Sequence, residues 1–416
     1  MSPLFSPLTL PNGSQIPNRL CKAAMEENMS EAGQLPGKSL WTLYKNWAEG
    51  GAGLLLTGNV MIAPDALTGP GGVVLQQGTD LAPFKQWAEA GRSGGGQFWM
   101  QINHPGRQVF EAMGERAVSA SDVAVDLGKH SSLFPQPRAL TVSEIETIIK
   151  RFATTSALAE QAGFTGVQIH AAHGYLISQF LSPLTNQRTD AWGGSLENRA
   201  RLLFETLNAV RAQVSDSFCV SVKLNSADFQ KGGFDESDAR WVVEQLAGLN
   251  VDLVELSGGS YESPAMSGNP QEGSTGRREA YFVEFAREIA KVAAMPIMVT
   301  GGIKRRAVAE AALEQDTGGF GVAMLGMGRA LAYAPNLVNE WREDRNLEVT
   351  IPEVNWKDTT LAGVAGMAVT KAQLRRVAAG RKPNPKLSPL FAMIRDQMRT
   401  GKLTKRYKKW RQATAG

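Results

Sequence analysis

The 416-residue chain has only two cysteines, Cys21 and Cys219, both in apolar runs and far apart in sequence. That excludes a disulfide framework and any CxxC metal or redox motif, so no metal site is expected and a reducing compartment fits. No run reaches the roughly 18 apolar residues of a membrane span. The start, MSPLFSPLTL, also lacks the basic and long apolar stretches of a secretory leader. A cytoplasmic protein without a membrane partner is the expectation. Acids are nearly absent from the tail: residues 371–416 carry 14 Lys/Arg against Asp396 alone, a net of +13 that leaves −9 on residues 1–370 of a chain at +4. The body is acidic and the tail basic.

What is present is a globular α/β composition, 43% hydrophobic with 43 glycines suited to many tight βα turns. The length allows two or three domains, although α/β barrels commonly form one unit of about 250 residues or more. Leu8–Ile16 alternates apolar residues around Asn12-Gly13, which predicts a β-hairpin plugging one end of the fold. Strand-like runs follow at Arg19–Met25, Gly53–Val60, Gln97–Ile102, Gly166–Ile169, Cys219–Leu224, Asp252–Leu256, Pro296–Thr300 and Gly319–Leu325. Helical periodicity lies between them at Thr141–Gln161, Ser195–Val214, Glu236–Leu249, Arg278–Val292 and Lys304–Gln315, and Thr141-x-x-Glu144 has the capping-box spacing. Strands apolar throughout and alternating with helices imply parallel strands buried on both faces. A (β/α)8 TIM barrel is favoured. An open doubly wound sheet is the alternative, but its GxGxxG after the first strand is missing.

In such a barrel the active site lies at the C-terminal ends of the strands. The residues there are Ala24, Met25 and Glu26; Gly58 and Asn59; Gln101 and Asn103; His170, His173 and Tyr175; Lys223; Ser257–Gly259; Gly301 and Gly302; and Gly328 and Arg329. Gln168–Arg199 is the densest stretch, with two histidines and a tyrosine meeting only if the chain curls sharply, which Gly174 permits. Glycines after strands seven and eight suit a phosphate, and Arg329 adds charge. The long connections Asn103–Leu140 and Ser257–Arg277 read as lids or specificity elements. The structural alternatives are a strand-end salt bridge for Lys223 and plain turn glycines at the phosphate side.

NRLCKAAM, MQINHPGRQ, HAAHGYLISQFLSPLTNQRTDAWGGSLENR, VKLNSADF and LGMGRAL resemble, in order and spacing, the Old Yellow Enzyme family of FMN-dependent ene-reductases over roughly residues 1–345. The resemblance implies non-covalent FMN, NAD(P)H as reductant and a ping-pong cycle. His170 and His173 would grip a substrate carbonyl oxygen and Tyr175 would protonate the α-carbon. Gln101 and Lys223 would face the flavin pyrimidine edge, Ala24, Met25, Glu26 and Gly58 would lie along the ring, and Gly301, Gly302, Gly328 and Arg329 would hold the phosphate. Two positions depart from the family. Glu26 stands where relatives place Thr or Cys, so it should be protonated, turned away or paired, and Asn28 stands where many have Tyr.

Beyond the barrel, residues 346–416 form an extension whose Leu387, Leu390, Phe391, Ile394 and Met398 fall at helical spacing behind Ser388 and Pro389, an apolar stripe that should pack on something. The basic run GKLTKRYKKWRQ is read as wrapping its own barrel or a neighbouring subunit of a homo-oligomer rather than a nucleic acid. The leading function is reduction of a small activated alkene. Another flavin-dependent dehydrogenase, dienoyl reductase or demethylase on the same fold, or a Schiff-base lyase using Lys223, remains open.

Overall fold

The computed structural model describes residues 2–263, 275–315 and 318–414. Eight strands, β1 (Leu20–Lys22), β2 (Leu54–Leu56), β3 (Gln97–Asn103), β4 (Gly166–Ala171), β5 (Cys219–Asn225), β6 (Leu253–Ser257), β7 (Ile297–Thr300) and β8 (Met324–Met327), run parallel in sequence order. β8 pairs back onto β1 through Gly326 and Cys21, so the sheet closes into a barrel. Closure leaves no free edge among these strands.

Alternate residues point inward, and the interior is layered. At the bottom Cys21, Leu54, Trp99, Cys219, Leu253, Met298 and Met324 form one apolar cluster with Leu8, Leu10 and Ile16 of the hairpin, which caps the barrel from its N-terminal end. Gly166 makes room for this layer, because a Cβ there would lie 2.7 Å from both Trp99 Cδ1 and Cys219 Cβ. One step up, Gln101, Gln168, Glu255 and Thr300 replace the apolar residues. The core therefore turns polar below the C-terminal mouth, where a site is expected.

Helices α1 (Lys38–Glu49), α2 (Ala82–Arg92), α3 (Val142–Gln161), α4 (Leu196–Arg211), α5 (Glu236–Leu246), α6 (Thr275–Ala290), α7 (Arg306–Ala312) and α8 (Leu337–Arg342) follow the strands in turn. Thr141 and Glu144 form the reciprocal capping box at the start of α3, worth about 1 kcal/mol. The eighth strand lies later than its apolar run implies: Gly319 takes a left-handed turn at φ 79°, and pairing begins only at Met324. Residues 264–274 of the second long connection lie outside the described residues.

Two helices complete the chain, α9 (Thr359–Ala378) and α10 (Pro389–Thr414). The basic face of α10 lies on its own barrel. Tyr407 is fully buried among Met61, Leu67, Val74, Val109 and Met113. Its hydroxyl donates to the Pro64 carbonyl at 2.9 Å, and Arg411 pairs with Glu115 at 2.7 Å. The apolar stripe divides. Leu387 packs on Ala368 and Val369, while Leu390, Phe391, Ile394 and Met398 stay exposed in the single chain. Among the described residues no helix is long and apolar enough to cross a membrane.

Candidate active site

The curl after β4 uses two left-handed residues, His173 (φ 61°) as well as Gly174 (φ 72°). A histidine in that region is held at a cost of order 1 kcal/mol, and the neighbours explain how. His173 donates its N–H to Asn225 Oδ1 (3.1 Å), and its carbonyl accepts from Gln108 Nε2 (3.0 Å). Gly174 cannot be replaced cheaply, since a Cβ would lie 2.9 Å from Gln108 Oε1 and Ser260 Cβ. The result is convergence. The His170 and His173 ring centroids are 5.0 Å apart at 76°, and those of His170 and Tyr175 are 4.8 Å apart at 88°.

The protonation states follow from the surroundings. His170 Nδ1 accepts from the Ala172 N–H at 3.3 Å, so its ring proton sits on Nε2. His173 Nε2 is 2.7 Å from Ser257 Oγ at the end of β6. Burial pushes both imidazoles well below the usual histidine range, and the Lys223 ammonium lowers them further. They are neutral N–H donors. Burial, the neighbouring Tyr261 and the Glu26 charge hold the Tyr175 phenol well above its ordinary value, so it keeps its proton.

The floor is a hydrogen-bonded line across four strands. Gln101 Nε2 donates to Gln168 Oε1 (2.7 Å), Gln168 Nε2 to Glu255 Oε2 (2.8 Å), and Thr300 Oγ1 to Glu255 Oε1 (2.6 Å). Lys223 closes it with an ion pair to Glu255 at 2.8 Å, both side chains buried. This is the strand-end salt bridge given above as the alternative for Lys223, which is the cross-strand neighbour of His170. The two roles are compatible, because Glu255 occupies one direction of a tetrahedral ammonium.

On the opposite side of the mouth, the space above Gly301 is open to 4 Å. Arg329 opens the short helix Arg329–Tyr333 and is solvent-accessible; among the described residues its side chain makes no hydrogen bond or ion pair, and desolvation lowers its guanidinium while Tyr333 and Glu353 act in the other direction. An exposed guanidinium and glycine turns at the ends of β7 and β8 are groups of the kind that can bind an anion such as a phosphate. Gly328 meets Met25 across the β8–β1 seam, with a Cβ position 3.6 Å from the Met25 sulfur. Ala24 is half-buried beside it. Gly58 is different: its N–H already donates to Tyr44 Oη (2.9 Å) and Glu27 Oε1 (3.1 Å), so that donor is committed to the protein.

Glu26 is paired. Its carboxylate accepts from Thr68 Oγ1 at 2.5 Å and lies 3.4 Å from Lys371 of α9. Burial raises this carboxyl, but Lys371, Thr68 and Asn28 together bring it below the usual value. The group is ionised. Three contributors were not singled out in the sequence: Glu255, Lys371 and Tyr261, whose hydroxyl is 3.1 Å from that of Tyr175. Only Glu255, at an inward position of an apolar strand, carries a local signal.

Comparison with known proteins adds a lineage to this geometry. The profile described as the NADH:flavin oxidoreductase / NADH oxidase family matches residues 3–348. The NADH-dependent flavin oxidoreductase iliE of Hypocrea jecorina is 38% identical over 354 residues, 80% of this chain and 86% of that protein. Among solved structures, a 2-naphthoyl-CoA reductase in complex with 2-naphthoyl-CoA superposes with a TM-score of 0.75 and 26% identity, covering 82% of this chain and 52% of that one. The chain thus spans about half the length of that reductase. An Old Yellow Enzyme homologue from Zymomonas mobilis shares the fold, with a TM-score of 0.69 at 24% identity over 84% of this chain and 95% of its own.

Proposed function

The chain belongs to the NADH:flavin oxidoreductase / NADH oxidase family, the Old Yellow Enzyme family, and from that premise we propose that it is an FMN-dependent ene-reductase acting on small α,β-unsaturated carbonyl or nitro compounds, with NAD(P)H as reductant. The observation that carries the reading is the convergence of two neutral imidazoles and a protonated phenol over the barrel mouth.

The residues present fit FMN. Gly301, Gly302, Gly328 and Arg329 would hold its phosphate, Gln101 and Lys223 its pyrimidine edge, and Ala24, Met25 and Glu26 would line the ring, while Gly58 supports that wall from behind. When bound, FMN supplies hydride transfer, taken from the nicotinamide and delivered to the alkene β-carbon. The rest is the work of this chain. His170 Nε2–H and His173 bind the carbonyl or nitro oxygen, where negative charge grows in the transition state, and so lower the barrier more than they strengthen ground-state binding. Tyr175 gives its proton to the α-carbon.

The lyase alternative finds no support, since Lys223 is ion-paired with Glu255 and a Schiff base needs a neutral amine. A homo-oligomer belongs to the reading too. The exposed Leu390, Phe391, Ile394 and Met398 face of α10 can meet the same face of a second copy, as two-fold interfaces require. The test is direct: the purified protein should be yellow, release FMN on denaturation, bleach anaerobically with NADH or NADPH, and regain colour with 2-cyclohexenone. Failure to reoxidise with any alkene in a panel of enones, maleimides and nitroalkenes overturns the ene-reductase reading.

A further inference from the structure

Tyr175 is buried at 7% exposure, so once its proton has gone to a substrate carbon it has little direct contact with water. The group that does reach it is Tyr261, on the loop after β6, with the two hydroxyl oxygens 3.1 Å apart and the rings edge-on at 75°. Tyr261 is half-buried, more open than the Tyr175 it touches. Its place is built. Ser260 Oγ accepts from the N–H groups of Glu262 (3.2 Å) and Ser263 (3.3 Å), fixing the turn. Glu262 is clamped by Arg107 at 2.5 Å and by the Asp126 N–H at 2.7 Å, so the first long loop locks the second around this tyrosine.

Building on the ene-reductase reading, we propose that Tyr261 is a positioning residue that acts through Tyr175, stabilising its developing phenolate by hydrogen-bond donation and then returning a proton to it from solvent. In the step, a C–H bond forms at the α-carbon as the Tyr175 O–H breaks. The Tyr261 hydroxyl proton passes to the Tyr175 oxygen, and Tyr261 regains a proton from water, which leaves hydroxide in solution. No electrons move beyond the hydride already delivered. For the Tyr175 proton to point at substrate, the bond between the two hydroxyls must run from Tyr261 to Tyr175, and that direction stabilises negative charge on Tyr175 as it appears. Burial raises both phenols and the Glu26 carboxylate adds to it, so neither is ionised at rest. The line therefore starts with two protons.

The test uses the holoenzyme, reduced with dithionite so that nicotinamide binding plays no part, and follows flavin reoxidation by 2-cyclohexenone in H2O–D2O mixtures. Tyr261→Phe should slow reoxidation on the order of tenfold and turn a bowed proton inventory into a straight line. Tyr175→Phe should lose on the order of 100-fold, and adding Tyr261→Phe to it should cost nothing more. Tyr261→His, which keeps a donor on the loop, should recover part of the rate and guards against simple loop collapse. Additive losses in the double variant, or an unchanged inventory in Tyr261→Phe, would overturn the relay while leaving the ene-reductase reading intact. A wild type that no alkene reoxidises would overturn both.

Discussion

Lys371, on a helix beyond the barrel, lies 3.4 Å from Glu26, in the segment that follows β1. The two sit 345 positions apart in sequence. The extension is thus part of the electrostatics of the mouth: α9 contributes Lys371, while α10 contributes Arg399 to the Asn28 carbonyl and Arg406 to the Ser30 carbonyl.

The pair sets a first prediction. Glu26 is held below its ordinary value, so its contribution to stability is present above the unfolded carboxylate pKa of about 4.3 and is lost as pH falls through the lower folded value. Lys371→Met should cost about 1 kcal/mol or less at neutral pH, because both side chains are partly exposed. In thermal melts the gap to wild type should close at acidic pH. A gap that persists unchanged in acid would mean that Lys371 acts by packing rather than charge.

Glu26 also bears on reduction. A carboxylate beside a flavin opposes added negative charge, so Glu26→Thr should raise the midpoint potential, with about 30 mV for each 1.4 kcal/mol removed from a two-electron couple. Lys371→Met, which leaves the carboxylate uncompensated, should lower it. Anaerobic redox titration reads both, and shifts of the same sign would reject the assignment.

The histidines give a pH prediction. Because burial and Lys223 keep His170 and His173 well below the usual value, alkene-dependent reoxidation should show no histidine titration between about pH 6 and 8. The sign for stability is the reverse of a partnered histidine: the unfolded chain takes up these protons first, so stability should start to fall as pH drops past about 6.5. A rate that halves near pH 6.5 would show that one imidazole titrates normally.

How much of this was legible follows from distance along the chain. His170, His173 and Tyr175 share one curl, and their spacing announces it. The barrel was legible because each buried parallel strand reads as its own apolar run. Tyr261 and Lys371 carry no local mark, since one is an aromatic in a long loop and the other a lysine in a basic tail, and only folding brings them to the mouth. Glu26 was legible as an anomaly, while its answer lay in the tertiary contact. The boundary of β8 was misplaced because an apolar run continues through Gly319, whose backbone turns before pairing can start.

The Arg107–Glu262 pair makes a prediction about the loops. Its side chains are 4% and 12% exposed, and Arg107 also donates to the carbonyls of Val123 and Ala124. Removing one partner of such a pair leaves a buried charge, so Arg107→Met should destabilise the protein by about 3 kcal/mol. Arg107→Lys should recover little, because one ammonium cannot reach three acceptors in the guanidinium's plane. Chemical denaturation measures the cost. A loss below about 1 kcal/mol would show that the loops are held by packing alone.

The last prediction concerns α10, whose two faces do different things. Truncation after Pro385 removes Tyr407 from its pocket and the Arg411–Glu115 pair, so the melting temperature should fall even at dilutions where no oligomer survives. Burial of one such aromatic is worth about 1.5–3 kcal/mol. Phe391→Asp with Met398→Asp leaves that inner face alone and changes only residues exposed at 66% and 63%. If the outer face joins two copies, the double variant should sediment as a smaller species than wild type while a dilute sample melts at the same temperature. Identical sedimentation of wild type and double variant would place the assembly elsewhere, and a lower melting temperature for the dilute double variant would mean that the outer face supports its own barrel after all.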